Sequence, residues 1–358
     1  MAAQLDHYRL LGRSGLRVSP LALGTMTFGV EQGWGTSEAD AERMVNLYAE
    51  HGGNSIDTAN FYANGASERV LGKLLAGRRQ QFVIASKYSL TMRPGDPNAS
   101  GNHRKNMLQS VDDSLRRLGT DHLDLLYLHV WDSRTPVDEI LRAFDDLVRA
   151  GKIAYIGLSD TPAWQASRMQ AIAELRGWTP FAALQIPYNL TERTVERELM
   201  PMAREMGLGV LPWSPLAGGV LSGKYQQSDL AQPKGEAQPR FDSRQQINLA
   251  TGRLSERNLA IATVAAEVAG ELGCTTAQVA LAWTLLNPAV TSPILGVRTL
   301  AQLQDNLGAL AVRFSDAQIA RLDAVSRIEL GFPHDFLASE ATMRTMFGGV
   351  TVATRTVH

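Results

Sequence analysis

The strongest constraint in the sequence is a regular alternation between short apolar runs and longer amphipathic stretches. The apolar runs are short and are bounded by Gly, Pro, Asn, Asp or Ser, which is typical of parallel strands buried on both faces. Eight of them occur, at Leu21–Leu23, Asn54–Asp57, Phe82–Ser86, Leu123–His129, Ala154–Ser159, Ala183–Pro187, Leu208–Trp213 and Thr291–Leu295. The chain therefore has the makings of an eight-stranded parallel sheet.

The stretches between the runs have the period and the end signals of helices. Met107–Leu118 places apolar residues at helical spacing and is followed by Gly119. A segment to His51 begins after Ser37, and the apolar pattern from Ile140 to Val148 recurs before Gly151. Repeated strand–helix alternation predicts one (β/α)8 TIM barrel, with a core over about 8–326 and a tail over 327–358. A doubly wound sheet is the alternative, but no G-x-G-x-x-G follows an early strand.

Three regions depart from the alternation. Tyr8–Leu10 and Leu16–Val18 predict an N-terminal β-hairpin that can plug the bottom of a barrel. Residues 216–254 form a long polar connection, which in a compact domain is usually functional or disordered. Extra helices near the C-terminus are predicted at Leu254–Leu272, Thr276–Leu286, Gln302–Leu310 and Asp316–Val325. The tail from Gly331 has no clear period, and a substrate-covering segment and a docked terminus are equally compatible with it.

Composition excludes several classes of protein. Basic and acidic residues nearly cancel, at 35 against 36, so a nucleic-acid binder or a polybasic membrane anchor is not expected. The single cysteine, Cys274, excludes an internal disulfide and a Cys-rich metal site. No signal-like segment opens the chain, and Glu267 and Glu271 interrupt its most apolar region. We expect a soluble cytoplasmic protein without a metal site; its oligomeric state stays open.

Ionisable residues end three neighbouring strands, at the rim where barrels of this kind carry their active sites. Asp57 and Tyr62 follow the second run, Lys87 follows the third, and His129 ends the fourth. A Lys ammonium next to a Tyr lowers the phenol's pKa of about 10, and a carboxylate holds that Lys charged. With a His bonded to the same oxygen, these groups can protonate a carbonyl oxygen while a hydride reaches its carbon.

The segment from Asp57 to Tyr62, Asp-Thr-Ala-Asn-Phe-Tyr, followed by Gly65 and Ser67-Glu68, resembles the aldo-keto reductase signature. Lys87 and His129 complete that family's tetrad. The resemblance runs from Leu10 to about Val325 and is closest to the branch with bacterial reductases and potassium-channel β subunits. It implies an NADPH-dependent reductase in which Tyr62 is the general acid that protonates an aldehyde or ketone.

The resemblance also implies how NADPH/NADP+ binds, in an extended form and without a dinucleotide fold. Asp57 and Gly24, Thr25 and Met26 would contact the nicotinamide end; Ser159 and Gln185 would hold the carboxamide, and Trp213 would stack on the ring. The family usually has Asn where this chain has Asp160, and a carboxylate cannot donate as an amide does. The pyrophosphate would lie against Ser214, Pro215, Leu216, Gly218 and Lys224, and the adenosine end against Gly296, Arg298, Gln302, Asp305 and Asn306. Arg298, placed before a helix, favours a 2′-phosphate and hence NADPH.

Aromatic residues near the rim suggest a pocket for an apolar or aromatic carbonyl compound. The expected lining residues are Trp34, Tyr88, Trp131 and Phe336. Two other functions stay open at this point. One is an NADPH-binding, redox-sensing regulatory subunit with slow turnover, and the other is an enzyme that works mainly as an alcohol dehydrogenase.

Overall fold

The computed structural model describes residues 4–30, 35–230 and 244–350. Its main feature is an eight-stranded parallel sheet that curls into a nearly closed barrel, with strand order β10-β3-β4-β5-β6-β7-β8-β9. A separate antiparallel hairpin, β1 with β2, precedes it. The strands are β1 Arg9–Leu10, β2 Arg17–Val18, β3 Ala22–Gly24, β4 Ser55–Asp57, β5 Val83–Tyr88, β6 Leu123–Leu128, β7 Ile153–Ser159, β8 Ala183–Pro187, β9 Gly209–Trp213 and β10 Ile294–Gly296.

Helices follow most of the barrel strands, as the alternation predicts. They are α1 Glu38–Glu50, α2 Ala66–Leu74, α3 Arg104–Leu118, α4 Val137–Arg149, α5 Ala163–Arg176, α6 Leu199–Met206, α7 Arg244–Ala250, α8 Glu256–Leu272, α9 Thr276–Thr284, α10 Leu300–Leu307, α11 Asp316–Ser326, α12 His334–Ala338 and α13 Glu340–Phe347. The end signals are used as expected. The Ser37 hydroxyl caps α1 by accepting from the Asp40 amide, and Gly119 ends α3 at a left-handed φ of 64°.

The barrel closes between its first and last strands. Leu295 of β10 pairs in parallel with Leu23 of β3, and Val210 of β9 exchanges backbone hydrogen bonds with Ala289 and Thr291, just before β10. Closure leaves the main sheet with hardly any exposed edge. The fold predicted from the alternation, a (β/α)8 barrel with an N-terminal hairpin and extra C-terminal helices, is confirmed.

Two apolar layers build the core. The larger lies between the strands and the surrounding helices, and the smaller fills the barrel interior with Ala22, Val83 and Leu125 among others. Leu11 and Val18 of the hairpin segment are buried in this inner layer. A side chain at Gly12 would approach the carbonyls of Ala182 and Gly207 to 2.5 Å, so only glycine allows the hairpin to sit this close. The hairpin thus closes the bottom of the barrel, opposite the rim formed by the C-terminal ends of the strands.

The structure corrects several boundaries. Strand β5 continues to Tyr88, so Lys87 lies within it, and the last strand begins at Ile294, later than the expected Thr291. Helix α9 ends at Thr284 and not at Leu286. The connection over 216–254 contains α7 and two 3-10 turns at Ala217–Ser222 and Gln227–Leu230, while 231–243 are outside the described residues.

The tail forms two short helices, α12 and α13, in which no residue is buried. Its start is tied to the barrel, because Arg197 donates to the Glu329 carbonyl at 2.8 Å and His334 lies 2.9 Å from the Glu198 carboxylate. Beyond that point it carries exposed apolar side chains. No single described helix is long and apolar enough to cross a membrane; α8 and α9 reach that length only together, across a 101° bend.

Candidate active site

Alternation along the strands brings the predicted catalytic side chains to one layer. Successive side chains of a strand point to opposite faces. In β5, Val83 and Ala85 belong to the barrel interior, so Lys87 points inward too. The same two-residue step carries His129 inward beyond Leu125 and Tyr127 of β6.

Lys87 is the centre of the layer and is completely buried. Its ammonium donates to the Asp57 carboxylate at 2.5 Å, to the Thr58 carbonyl at 2.9 Å and to the Tyr62 hydroxyl at 3.0 Å. The Asp57 carboxylate also accepts from the Gln185 amide at 2.8 Å. The ammonium therefore has all three of its protons placed, one of them on the phenol oxygen.

The charges of this cluster decide its protonation. Burial disfavours the Lys87 ammonium, but the Asp57 carboxylate and Tyr62 outweigh it, so the pKa of Lys87 is raised. Burial raises the pKa of Tyr62, and the neighbouring Lys87 lowers it only in part, so the net shift is upward. Lys87 does lower the pKa of Tyr62, as expected. The expectation of a lowered pKa is nevertheless wrong, because burial raises it by more. Tyr62 is consequently a protonated phenol at neutral pH, ready to donate.

A tight turn presents Tyr62 to the cluster. The turn Tyr62–Gly65 contains Ala63 at φ 47° and Asn64 at φ 52°, both left-handed, before Gly65 at φ 83°. Left-handed non-glycine residues cost free energy and persist only where the surroundings hold them. The turn places the Tyr62 ring edge-on to His129, with centroids 5.9 Å apart.

His129 is neutral in this site. Burial, helped by the nearby Lys87 charge, lowers the pKa of His129 to about 3. Its Nδ1 is buried without a hydrogen-bond partner among the described residues. A neutral imidazole beside a protonated phenol can donate a second hydrogen bond to one substrate oxygen, which is the arrangement that carbonyl reduction needs.

Beneath the tetrad lie two hydrogen-bonded sets that the sequence interpretation did not assign. The Ser67 hydroxyl pairs with those of Thr25 and Thr58, at 2.8 and 2.9 Å. The buried Glu68 carboxylate accepts from Ser86 and Arg117, at 2.6 Å each. The Ser67-Glu68 pair of the signature could have indicated these contacts from the sequence. Their hydrogen bonds hold in place the strands that carry Asp57 and Lys87.

The expected cofactor residues line one side of the same rim. Ser159 and Trp213 end β7 and β9, and Gln185 lies in the middle of β8, where it is tied to Asp57 as described above. The Trp213 indole donates to the Asp160 carboxylate at 3.0 Å. Gly24 ends β3, and the Thr25 hydroxyl is engaged with Ser67 and the Asp57 carbonyl, whereas Met26 is exposed.

The segment after β9 has the shape and charge of an anion site. Ser214, Ala217, Gly218 and Gly219 take left-handed backbone conformations, around Pro215 and Leu216. The Lys224 side chain lies against this turn, since a Cβ atom at Gly219 would be 3.0 Å from the Lys224 Nζ. Burial and the charges of Arg298 and Arg244 lower the pKa of Lys224. Among the described residues neither Lys224 nor Arg298 has a carboxylate partner, so this cluster suits a phosphate.

The predicted adenosine-end residues lie at β10 and α10. Some of them are exposed, and others are already hydrogen-bonded within the protein. Gly296 ends β10 and is exposed, as is Arg298. The Gln302 side chain accepts from the Arg298 amide at 2.9 Å, and the Asp305 carboxylate accepts from Thr275 and Gln278. Asn306 is buried. Gln302 and Asp305 thus already serve to hold the ends of α10 and α9.

One family model, "Aldo/keto reductase family", matches residues 20–327. The chain belongs to the aldo/keto reductase family. It is an oxidoreductase acting on carbonyl groups, and the family generally uses a nicotinamide cofactor.

Its relatives among known proteins carry the names of reductases and other oxidoreductases. A norsolorinic acid reductase of Emericella nidulans is 35% identical, over 93% of this chain and 85% of its own. Aldo-keto reductase ausK of Aspergillus calidoustus is 36% identical, over 94% and 86%. The uncharacterized oxidoreductase YrpG of Bacillus subtilis is 39% identical, over 88% and 94%.

The substrate side is the part of the reductase that the sequence interpretation placed least well. Tyr88 lies in the core against Phe144 and not in a pocket, because it follows inward-facing Lys87 on the strand and so points outward. Phe336 is exposed on the tail, where its ring contacts Phe332. Trp131 is half-buried after β6, and Trp34 is outside the described residues.

Apolar side chains that the sequence interpretation did not assign to the substrate stand at the catalytic rim. Met26, Phe61 and Val130 are large, exposed and attached to the ends of β3, β4 and β6. Exposed apolar residues gathered around a polar site are typical of a binding surface.

Proposed function

We propose that the protein is an NADPH-dependent carbonyl reductase in which Tyr62 protonates the substrate oxygen. The observation that carries the proposal is the contact of the Tyr62 hydroxyl with the buried Lys87 ammonium at 3.0 Å, beside a neutral His129. When bound, the reduced nicotinamide supplies the hydride. The chain's own part is to hold the carbonyl oxygen between Tyr62 and His129 and to deliver the proton.

Lys87 has a second use once the proton has left. A phenolate at Tyr62 would stand 3.0 Å from the ammonium, and the attraction between them stabilises the deprotonated state that follows transfer. Asp57 and the Thr58 carbonyl keep the ammonium in place throughout. Burial favours the protonated form of Tyr62, and the Lys87 charge favours the deprotonated form. Together they leave Tyr62 protonated before the reaction and able to release its proton during it.

The choice of NADPH over NADH rests on the basic cluster. The charges of Lys224 and Arg298 repel each other, and a pyrophosphate with a 2′-phosphate would relieve that repulsion. Arg298 can meet a phosphate with two parallel hydrogen bonds, which a Lys cannot do. We therefore expect the wild-type protein to bind NADPH more tightly than NADH.

The substrate proposed is an apolar or aromatic aldehyde or ketone. Met26, Phe61 and Val130 offer it an apolar rim, next to the half-buried Trp131. A charged sugar phosphate would find no described cation at the tetrad except Lys87, which is already paired.

The test is a comparison of wild type with Tyr62→Phe on a panel of aryl aldehydes, aliphatic ketones and sugars, followed by NADPH absorbance. The variant keeps the ring and loses the proposed acid, so we expect the reduction kcat to fall at least about 100-fold. The NADPH Kd should stay within about twofold. Wild-type turnover by Tyr62→Phe would refute the role of Tyr62, and slow turnover of the whole panel despite tight NADPH binding would favour the regulatory function.

A further inference from the structure

Asp160 places a carboxylate at the cofactor side of the rim. It follows Ser159 at the end of β7 and takes a left-handed backbone conformation, φ 42°, which Asp and Asn tolerate better than most residues. The turn is held by Thr161, whose hydroxyl donates to the Ser159 carbonyl at 2.9 Å. The side chain is therefore presented by a fixed turn and not by a loose loop.

The carboxylate faces the same cleft as the tetrad. Its Oδ1 accepts from the Trp213 indole at 3.0 Å. Asp160 is exposed at the rim, but the protein around it desolvates it in part and raises the pKa of Asp160, while the indole N–H and the Lys87 charge lower that pKa. In the other direction, the charge of Asp160 contributes to the raised pKa of Tyr62.

The charges of the tetrad cancel one another, whereas the charge of Asp160 has no such partner within the tetrad. Lys87 is neutralised by Asp57, His129 is uncharged at neutral pH, and Tyr62 is protonated. Arg253 lies 5.9 Å from the centre of the Trp213 ring, but the cation that lowers the pKa of Asp160 is Lys87. Asp160 thus adds to the layer around Trp213 a negative charge that an Asn would not add.

We propose that Asp160 makes the site prefer the oxidised, positively charged nicotinamide over the reduced, neutral one. The proposal rests on the proposed function, in which the ring lies against Trp213. The carboxylate attracts the nicotinamide ring only when the ring is oxidised and positively charged. Asp160 therefore strengthens the binding of the oxidised cofactor and hardly affects that of the reduced cofactor. Tighter binding of the oxidised form makes the bound reduced form a stronger hydride donor, because linkage requires it. Asp160 then favours carbonyl reduction and slows release of the oxidised product.

The experiment measures the Kd of NADP+ and of NADPH by titration calorimetry at pH 8. The ratio of the two Kd values cancels every contribution of Lys224, Arg298 and the phosphates, which both forms share. Asp160→Asn removes the charge but keeps an oxygen for the Trp213 indole. Asp160→Gly is the second neutral variant, since glycine suits the left-handed backbone. Asp138→Asn, which removes an exposed carboxylate in the first turn of α4, is the matched control.

We expect both neutral variants to raise the ratio of the NADP+ Kd to the NADPH Kd threefold to tenfold, tenfold being about 30 mV for a two-electron couple. The NADPH Kd should stay within about twofold, and Asp138→Asn should leave the ratio unchanged. An unchanged ratio in both variants, or an equal change of both Kd values, would overturn the role of Asp160 while the reductase function stands. Failure of wild type to bind either form would instead overturn the proposed function.

Discussion

Keeping His129 neutral in the site lowers the stability of the folded protein in acid. A neutral imidazole is useful to a carbonyl oxygen, but keeping it neutral means burying a group that water would protonate near pH 6.5. The pKa of about 3 comes from burial first and from the Lys87 charge second. The same environment that suits the proposed chemistry must therefore make the protein sensitive to acid.

The sign of this sensitivity follows from the lowered pKa. Above pH 6.5 His129 is neutral both folded and unfolded, so its burial costs nothing extra there. As pH falls from 6.5 toward 3, the unfolded chain binds a proton that the folded one refuses, and stability is lost. We expect His129→Gln to remove up to about 2 kcal/mol of the loss between pH 7.5 and pH 5.0.

The check is the free energy of unfolding in urea at those two pH values, for wild type and His129→Gln. Other groups titrate in both proteins, so only the difference between their pH dependences reports on His129. Identical pH dependences would contradict a lowered pKa at this position. His122, half-buried beside Asp121 at the protein surface, provides the matched substitution His122→Gln, which removes a histidine outside the site.

At the scale of the element, strands are what the sequence predicted best. Buried parallel strands read as short apolar runs, so their number and order could be taken from the sequence. Strand ends could not, because hydrogen bonding to a neighbour decides them: β5 runs on to Tyr88 by pairing with β6 at Leu128. That extension is also why Tyr88 was misplaced, since within a strand it must face away from Lys87.

The tetrad was predictable because each member lies at a strand end or in a turn of characteristic sequence. The contacts behind it were not, since they join residues far apart in the chain, such as Gln185 with Asp57. Nor did Lys87 and Tyr62 reveal the net direction of the Tyr62 pKa, which depends on burial. Spacing thus names the reacting groups, whereas their protonation needs the surrounding protein.

The contact between α2 and α3 provides a test at this scale. Arg117 of α3 donates to Glu68 of α2, whose side chain is completely buried. Removing the cation in Arg117→Met leaves a buried carboxylate with Ser86 as its remaining partner, and we expect a loss of about 3–5 kcal/mol in unfolding free energy. The double variant Glu68→Gln/Arg117→Met buries no charge and should lose clearly less.

Denaturant unfolding of the three proteins measures these values. The exposed pair of Lys152 and Asp112 provides a control, because Lys152→Met should change stability by less than about 1 kcal/mol. An equally small loss of unfolding free energy in Arg117→Met and Lys152→Met would mean that the Glu68 carboxylate is hydrated in the variant. The contacts beneath the tetrad would then stabilise the strands less than the burial of Glu68 indicates.

At the scale of the whole molecule, the barrel and the tail differ in what holds them. The barrel has two apolar layers and a closed sheet, whereas α12 and α13 bury no side chain. Met343, Met346 and Phe347 follow helical spacing in α13 and are all exposed, so they form an apolar stripe. Both interpretations of the tail, a cover for the substrate and a docked terminus, would require this stripe to find a surface.

The thermal stability of the barrel should therefore not depend on the tail. A chain ending at Leu330 keeps Arg193, whose contacts with Asp323 and Ser326 fasten α11, and it loses no buried residue among those described. We expect its Tm to lie within about 2 °C of the full chain in calorimetry at equal protein concentration, since burial and not chain length sets stability. A drop of more than about 5 °C would mean that the tail packs against the barrel in solution. The KM for the best carbonyl substrate separates the remaining interpretations: a cover for the substrate predicts that it rises several-fold in the shortened chain, and a docked terminus predicts that it stays the same.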